Sequence, residues 1–345
     1  MDLSLSEEQG DVRDHLTFLL QREVPLSAVR ASEPLGFDPA IWEKLVQAGV
    51  PGMGAPAEVG GGGADLSVLV PAAEALGQVL APAPVIEHLV ASRLLASLAP
   101  EHPDLADVIA GSSVAAFAPR AAQEGMAFLV PGGAVAAVVV ALDGDELVAV
   151  TGPPPLEYPV TFASAPLADR DLNDGSRVVL ATGADAHAAH ARATDEWRVL
   201  VGASLVGLST GALDLAVAYV KERHQFGVPI GSFQAIQHGL ADYPGQIDGA
   251  RLLVHEAAWC LTSGQLTATG ATGPEMASMA FLFVGEVARA TTASCVQYHG
   301  GMGYAEEGDA QLFFRRARGW PLVLGDPDEE LSQLADSLLD PRKVS

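Results

Sequence analysis

Basic side chains are scarce in this 345-residue chain: 19 lysines and arginines face 43 aspartates and glutamates, a formal charge of -24. A field of that sign repels phosphate backbones and anionic headgroups, which excludes nucleic acid and acidic membrane surfaces as expected partners. Cysteine is almost missing. Cys260 and Cys295 both lie in apolar stretches of helical spacing, which suits buried free thiols in a reducing compartment and not a disulfide framework. Gly, Pro or charge interrupts every apolar run before roughly eighteen residues, so no bilayer span is expected. The first residues, Met1-Asp-Leu-Ser-Leu-Ser-Glu-Glu, are acidic where a secretory signal is basic, and a cytoplasmic location is expected. The run Gly60–Gly63 lacks the Lys-Ser/Thr of a phosphate loop and reads as a turn.

What is plentiful is apolar material, 49% of the chain, enough for a core divided over several domains. In residues 1–112 apolar positions recur at helical spacing, as in Leu16, Leu19, Leu20 and in Leu66, Leu69, Val70, Ala73. Residues 113–190 change to short β-branched runs, Val135–Leu142, Glu146–Val150 and Arg177–Leu180, punctuated by Gly-Gly, Asp-Gly-Asp and Gly-Pro-Pro-Pro. Helical spacing returns in residues 191–345, with Leu200, Ser204, Leu208, Leu213 on one segment and Phe233, Ile236, Leu240, Tyr243, Ile247 on the next. The Ala-rich stretch from Ala181 to Ala193 reads as a connection. The expected class is therefore mostly α: a helical domain, a small β domain and a carboxy-terminal bundle of long antiparallel helices.

One stretch asks for more than packing. Arg223-His-Gln-Phe-Gly-Val-Pro-Ile-Gly-Ser-Phe-Gln-Ala-Ile-Gln237 joins two long helical segments through a turn that carries an arginine, an aromatic and two glycines. A guanidinium offers a planar fork of donors suited to a pyrophosphate, and glycine lets backbone approach a ligand closely. Downstream lies Gln297-Tyr-His-Gly-Gly-Met-Gly-Tyr304. Each residue also has an ordinary use: Phe226 and Phe233 as core aromatics, Gln234 at a helix start capped by Ser232, Gly300 and Gly301 as a helix stop, Arg223 as a surface charge.

Taken together, and with Trp42–Gly49 and Pro56–Gly63 upstream, these motifs resemble the acyl-CoA dehydrogenase family over most of the chain. The resemblance implies the family's helical domain, β-barrel-like domain and four-helix bundle. It also implies FAD shared across a subunit interface, with the diphosphate side held by a neighbour's bundle. On that side Arg223 would bind the pyrophosphate and Phe226 would pack near the adenine. Gln234 would donate or accept amide hydrogen bonds, and Gln297 with Gly300 and Gly301 would let backbone amides close on ribose and phosphates.

Two family features are missing. The Thr-Glu-Pro-x-x-Gly-Ser-Asp type of segment that contacts the flavin ring is replaced by Phe117-Ala-Pro-Arg-Ala-Ala-Gln-Glu-Gly125. The catalytic glutamate is also gone: Leu324 stands at the loop position and Trp197 at the helix position. Glu196 is one residue away, turned by roughly 100° on a helix. Asp326 and Asp328 read as first-turn acids of the last helix.

The expectation is a base-lacking, flavin-completing subunit of a heteromeric acyl-CoA dehydrogenase of the steroid side-chain type. Its partner would be a longer paralogue, two copies of each chain assembling, with acyl-CoA as substrate and an electron-transferring flavoprotein as acceptor. The competing readings are a self-sufficient homo-oligomer using Glu196 as base and a flavin-free scaffold.

Overall fold

The computed structural model describes residues 4–339. Its helices are α1 (Glu7–Glu23), α2 (Leu26–Ala31), α3 (Pro39–Gln47), α4 (Leu66–Gln78), α5 (Val85–Leu98), α6 (Leu105–Ala110), α7 (Gly183–Glu222), α8 (Gln234–Ser263), α9 (Gly273–His299), α10 (Gly301–Tyr304), α11 (Ala310–Gly319) and α12 (Pro327–Leu338). Between α6 and α7 lie the strands β1 (Ala115–Phe117), β2 (Met126–Val130), β3 (Val138–Asp143), β4 (Glu146–Thr151), β5 (Ala168–Asp171) and β6 (Ser176–Thr182). A hairpin of β7 (His224–Gln225) and β8 (Val228–Pro229) separates α7 from α8. The chain is mostly helical with a small β part, as the sequence pattern predicts.

Two compact units emerge. One gathers the described residues of Met1–Arg30, Val70–Ala81 and Arg198–Ser345; the other comprises Ala31–Leu69 and Pro82–Trp197.

In the first unit the long helices pack as a bundle, with α8, α11 and α12 all against α9. Helix starts follow local chemistry. Ser6 and Gln9 form a reciprocal capping box on α1, and Thr272 with Glu275 does the same for α9. Small residues set the tightest crossing. At Gly77 and Gly207 a side-chain carbon would run into the backbone at Ser204 and at Glu74, so the end of α4 lies directly on α7. Polar clamps add register: Glu330 of α12 accepts both Arg198 of α7, at 3.0 Å, and Ser278 of α9, at 2.7 Å. Asp326, expected as a first-turn acid of α12, stands one step earlier and caps the helix by accepting from the Asp328 N–H at 3.0 Å, while Asp328 does lie in the first turn.

In the second unit β1, β3, β4 and β6 form a four-stranded sheet in the order β1-β3-β4-β6, with β1 parallel to β3 and the other pairs antiparallel. The run Val-Val-Val-Ala-Leu of β3 is buried throughout, as a strand covered on both faces must be. Helix α5 packs against β1, β3 and β6. Val139, Ala141, Val148 and Val150 meet Ala127, Val130 and Leu172 from the two-stranded β2-β5 sheet and its margin.

Three expectations need correction. The stretch from Ala181 to Ala193 is no connection: β6 runs to Thr182 and α7 begins at Gly183, because an alanine-rich segment has the best helix propensity of all. Ser232 does not cap α8. The residue at the cap is Phe233, and the Ser232 hydroxyl donates back to the Pro229 carbonyl at 2.7 Å. Helices α7 and α9 are long and apolar enough to cross a bilayer despite their interruptions, yet 72% and 56% of those windows are buried inside the fold. A helix that is apolar nearly all round is here a core helix.

Candidate functional site

The turn after α7 is a two-residue hairpin: His224 pairs with Pro229 and Gln225 with Val228, leaving Phe226-Gly227 at the tip. Both tip residues have positive φ, 54° and 83°. That is the type I′ pattern, for which Asn-Gly is the preferred dipeptide. Phe226 sits there against its backbone preference, and its ring is 93% exposed. Among the described residues its one ring partner is Phe233, edge-on at 6.1 Å between centroids. A left-handed phenylalanine held out in solvent serves neither the backbone nor the core, and such strain points to a task outside the chain.

The hairpin is anchored from below. The Arg223 N–H donates to Tyr219, and the Ile230 N–H donates to Arg223 at 2.7 Å. The Arg223 side chain is exposed and makes no hydrogen bond or ion pair with the described residues. Tyr219, one turn back on α7, stacks on His299 at 4.1 Å, and its hydroxyl donates to the His299 carbonyl at 3.4 Å. His299 closes the end of α9 by contacting the Cys295 carbonyl through Nδ1 at 2.7 Å. Gly239 leaves room on α8 for the Tyr298 hydroxyl. These contacts bring two stretches far apart in sequence, 223–234 and 297–304, to the same end of the bundle.

Gln234 and Gln297 are both exposed, as is the glycine pair between α9 and α10. Gly300 has φ 61° and ψ -135°, a conformation closed to residues with a side chain. Around Gly300 and Gly301 there is open space on the protein side, so the backbone there is bare for an external group. Cys295 beneath them is inert: burial pushes its thiol up to about 12.

The second unit holds the other half of the question. Phe117–Pro119 are buried, and the backbone donors of the segment are committed within the chain: Ala118 to Val140, Ala122 to Leu142, Gln123 to Met126. No hydroxyl occurs between Phe117 and Gly125. This stretch has neither hydroxyls nor, at those three positions, free amides to offer a ring.

On α7, Trp197 and Glu196 diverge as helix geometry predicts. Trp197 is among the largest fully buried side chains. Its indole favours the charged form of Glu87 on α5, but burial outweighs it and holds the Glu87 carboxyl above its ordinary value. Glu196 turns instead to Arg93, which donates through Nε to its Oε2 at 2.9 Å. In the first unit, Leu324 is half-buried in the turn before α12, and Asp326 is committed to its cap. Beside Glu87, His88 is fully buried; burial pushes its imidazole down to about 4, and its Nδ1 accepts the Ala115 N–H at 3.0 Å.

Glu87 and Arg93 were missed from sequence. A signal existed: they are the only charged residues in the fourteen of α5, otherwise rich in Val, Leu and Ala.

A helical bundle and a small sheet domain in one chain define a mostly α architecture. Residues 6–101 match the acyl-CoA dehydrogenase N-terminal domain and residues 188–339 the acyl-CoA dehydrogenase C-terminal domain. The chain belongs to the acyl-CoA dehydrogenase family. It is 31% identical over 335 residues to the acyl-CoA dehydrogenase IpdE2 of Mycolicibacterium smegmatis, covering 96% of this chain and 98% of that one. Among solved structures it resembles a chain of the ChsE4-ChsE5 complex from Mycobacterium tuberculosis, with a TM-score of 0.86, 22% identity and 99% of each chain covered. It also resembles a chain of the Tcur3481-Tcur3483 steroid acyl-CoA dehydrogenase, with a TM-score of 0.84, 26% identity and 98% and 99% coverage.

Proposed function

We propose that this chain is the flavin-completing subunit of a heteromeric acyl-CoA dehydrogenase that oxidises a CoA thioester, of the steroid side-chain class, at its α,β carbon–carbon bond. One observation carries the reading: the exposed, strained Phe226 near an Arg223 unpaired among the described residues, in a chain whose own 117–125 segment has no hydroxyl and turns the amides of Ala118, Ala122 and Gln123 inward. The cofactor is FAD, its diphosphate side resting on this chain and its ring on a longer paralogue. The residues fit that role. Arg223 pairs with the pyrophosphate, Phe226 packs on the adenine, Gln234 and Gln297 bond through their amides, and Gly300 and Gly301 give bare backbone.

FAD, when bound, accepts the β-hydride while a base takes the α-proton. This chain orients and retains; the base belongs to the partner, because Trp197 and Leu324 carry no proton acceptor and Glu196 is engaged by Arg93. The steroid acyl-CoA dehydrogenase Tcur3481-Tcur3483, 26% identical in the matching chain, is named for two components and for a steroid, which supports a steroid-type substrate and a partner chain. Two copies of each chain, a cytoplasmic location and an electron-transferring flavoprotein as acceptor complete the proposal.

The test is visible absorbance. Expressed alone, the chain is expected to purify nearly colourless; co-expressed with a longer acyl-CoA dehydrogenase paralogue from the same organism, it is expected to yield a yellow complex. Stoichiometric flavin on the isolated chain would sink the heteromer and revive the homo-oligomer.

A further inference from the structure

Helix α5 carries one cation, Arg93, and the fold builds a socket around it. Its Nη1 donates to the carbonyls of Gly54 at 2.8 Å and Ala64 at 3.1 Å, and its Nε is held by Glu196. Gly54 matters here: a side-chain carbon would stand 3.1 Å from Arg93 Cδ, so the bare backbone lets the stem lie flat. The guanidinium is thereby fixed in plane, with both donors of Nη2 unengaged.

Arg192 lies one turn before Glu196 on α7 and lines the same cavity, with none of its five donors engaged by the described residues. The cavity has a volume of about 210 Å³. Ser97 stands at its exposed edge, and Val90, Leu94, Ala189 and Ala193 give it apolar wall.

We propose that this cavity binds a small aliphatic monocarboxylate. Two guanidiniums against one carboxylate leave a single net positive charge, which one anionic group balances. A dianion would overshoot and meet Glu196. Arg93 and Arg192 both line the cavity, and guanidinium donors are the groups that pair most strongly with a carboxylate. The volume, about seven waters at ~30 Å³ each, admits a head group and a short aliphatic tail. It is smaller than the roughly 300–1,000 Å³ of sites for larger ligands. The site owes nothing to flavin binding and stands or falls separately from the heteromer.

The experiment titrates butyrate, neutral butyramide and inorganic phosphate into the full-length chain by calorimetry, with Arg192→Gln and Ser97→Leu as variants. Both replaced side chains are exposed, and circular dichroism confirms that each variant folds. The expected result is one butyrate per chain. Butyramide should bind about tenfold or more weakly, Arg192→Gln should lose a similar factor, the size of a charge-assisted hydrogen bond, and Ser97→Leu should narrow the mouth and weaken binding. Failure to bind butyrate below about 10 mM overturns the proposal. So does equal binding of butyramide, equal affinity in both variants, or displacement of butyrate by equimolar phosphate.

Discussion

The hairpin at 223–230 and the segment at 117–125 are both loops beside long helices, yet they treat their polar groups in opposite ways. The hairpin keeps an arginine unpaired and holds an aromatic ring in solvent on a left-handed backbone. The segment turns its amides inward onto Val140, Leu142 and Met126 and carries no hydroxyl. A loop that satisfies itself is finished; a loop that leaves donors and strain outstanding is waiting for something. On the proposed reading, that contrast is what makes this chain half of a flavin site.

The contrast can be attacked first at the largest fully buried side chain of the second unit. Trp197→Ala is expected to cost about 3–5 kcal/mol of stability, the usual toll of emptying a buried aromatic site, read from denaturant midpoints. A loss below about 1 kcal/mol would mean that the space around Trp197 is a ligand cavity and not core.

Acid provides the next largest effect. His88 stays neutral in the folded chain down to about 4, whereas its ordinary value is 6.5. The unfolded chain takes up the proton first, so stability present above 6.5 is lost as pH falls toward 4, by up to about 3 kcal/mol. Glu87 acts with the opposite sign: its raised value makes folding lose stability as pH rises past the ordinary 4.5. His88→Asn keeps an acceptor for the Ala115 N–H and should flatten the His88 contribution alone. An unchanged acid slope in that variant would assign the effect elsewhere.

Two variants probe the hairpin. Arg223→Ala should weaken FAD retention in the complex by about 1.5–3 kcal/mol while leaving the melting temperature of the chain unchanged. Phe226→Asn should do the reverse for stability, raising it by up to about 1 kcal/mol because Asn-Gly suits the turn, and still weaken FAD. If retention is indifferent to both, the hairpin is ordinary surface.

The smallest expected effect is the most diagnostic. Glu196→Gln should leave turnover of the complex within about twofold, whereas removal of a true general base costs roughly 10²-fold or more. A loss of that size, with flavin content and assembly intact, would make this chain the seat of the chemistry.

Much of this was legible beforehand. Short β-branched runs announced β3, β4 and β6, and the acids around Pro327 announced the start of α12, although Asp326 caps that helix and only Asp328 lies in its first turn. The pairing of 223–234 with 297–304 was suggested only by resemblance, since no local pattern tells that Tyr219 will stack on His299. Three things were not legible. Alanine-rich helix looked like linker at 183–193, because low side-chain bulk blurs the apolar period. The Arg93–Glu196 pair spans 103 positions and leaves no spacing signal. The apolar stripe Phe233, Ile236, Leu240, Tyr243 predicted burial, yet within this chain none of the four is fully buried, and only Ile247 further on is. Periodicity reports which face wants cover, not which chain provides it.

Helix α7 also works as a ruler. From Arg198 to Glu222 it climbs 24 steps at about 1.5 Å each, close to 36 Å of nearly rigid rod. Arg198 directly follows the two positions where a helix-borne base was sought, and Glu222 directly precedes Arg223. A dinucleotide whose reactive end lay beside the lower mark would run out well before the upper one. On the proposed reading, this chain therefore lends its hairpin to a cofactor seated on its neighbour, and the length of a single helix keeps the hairpin clear of its own chain's would-be reaction site.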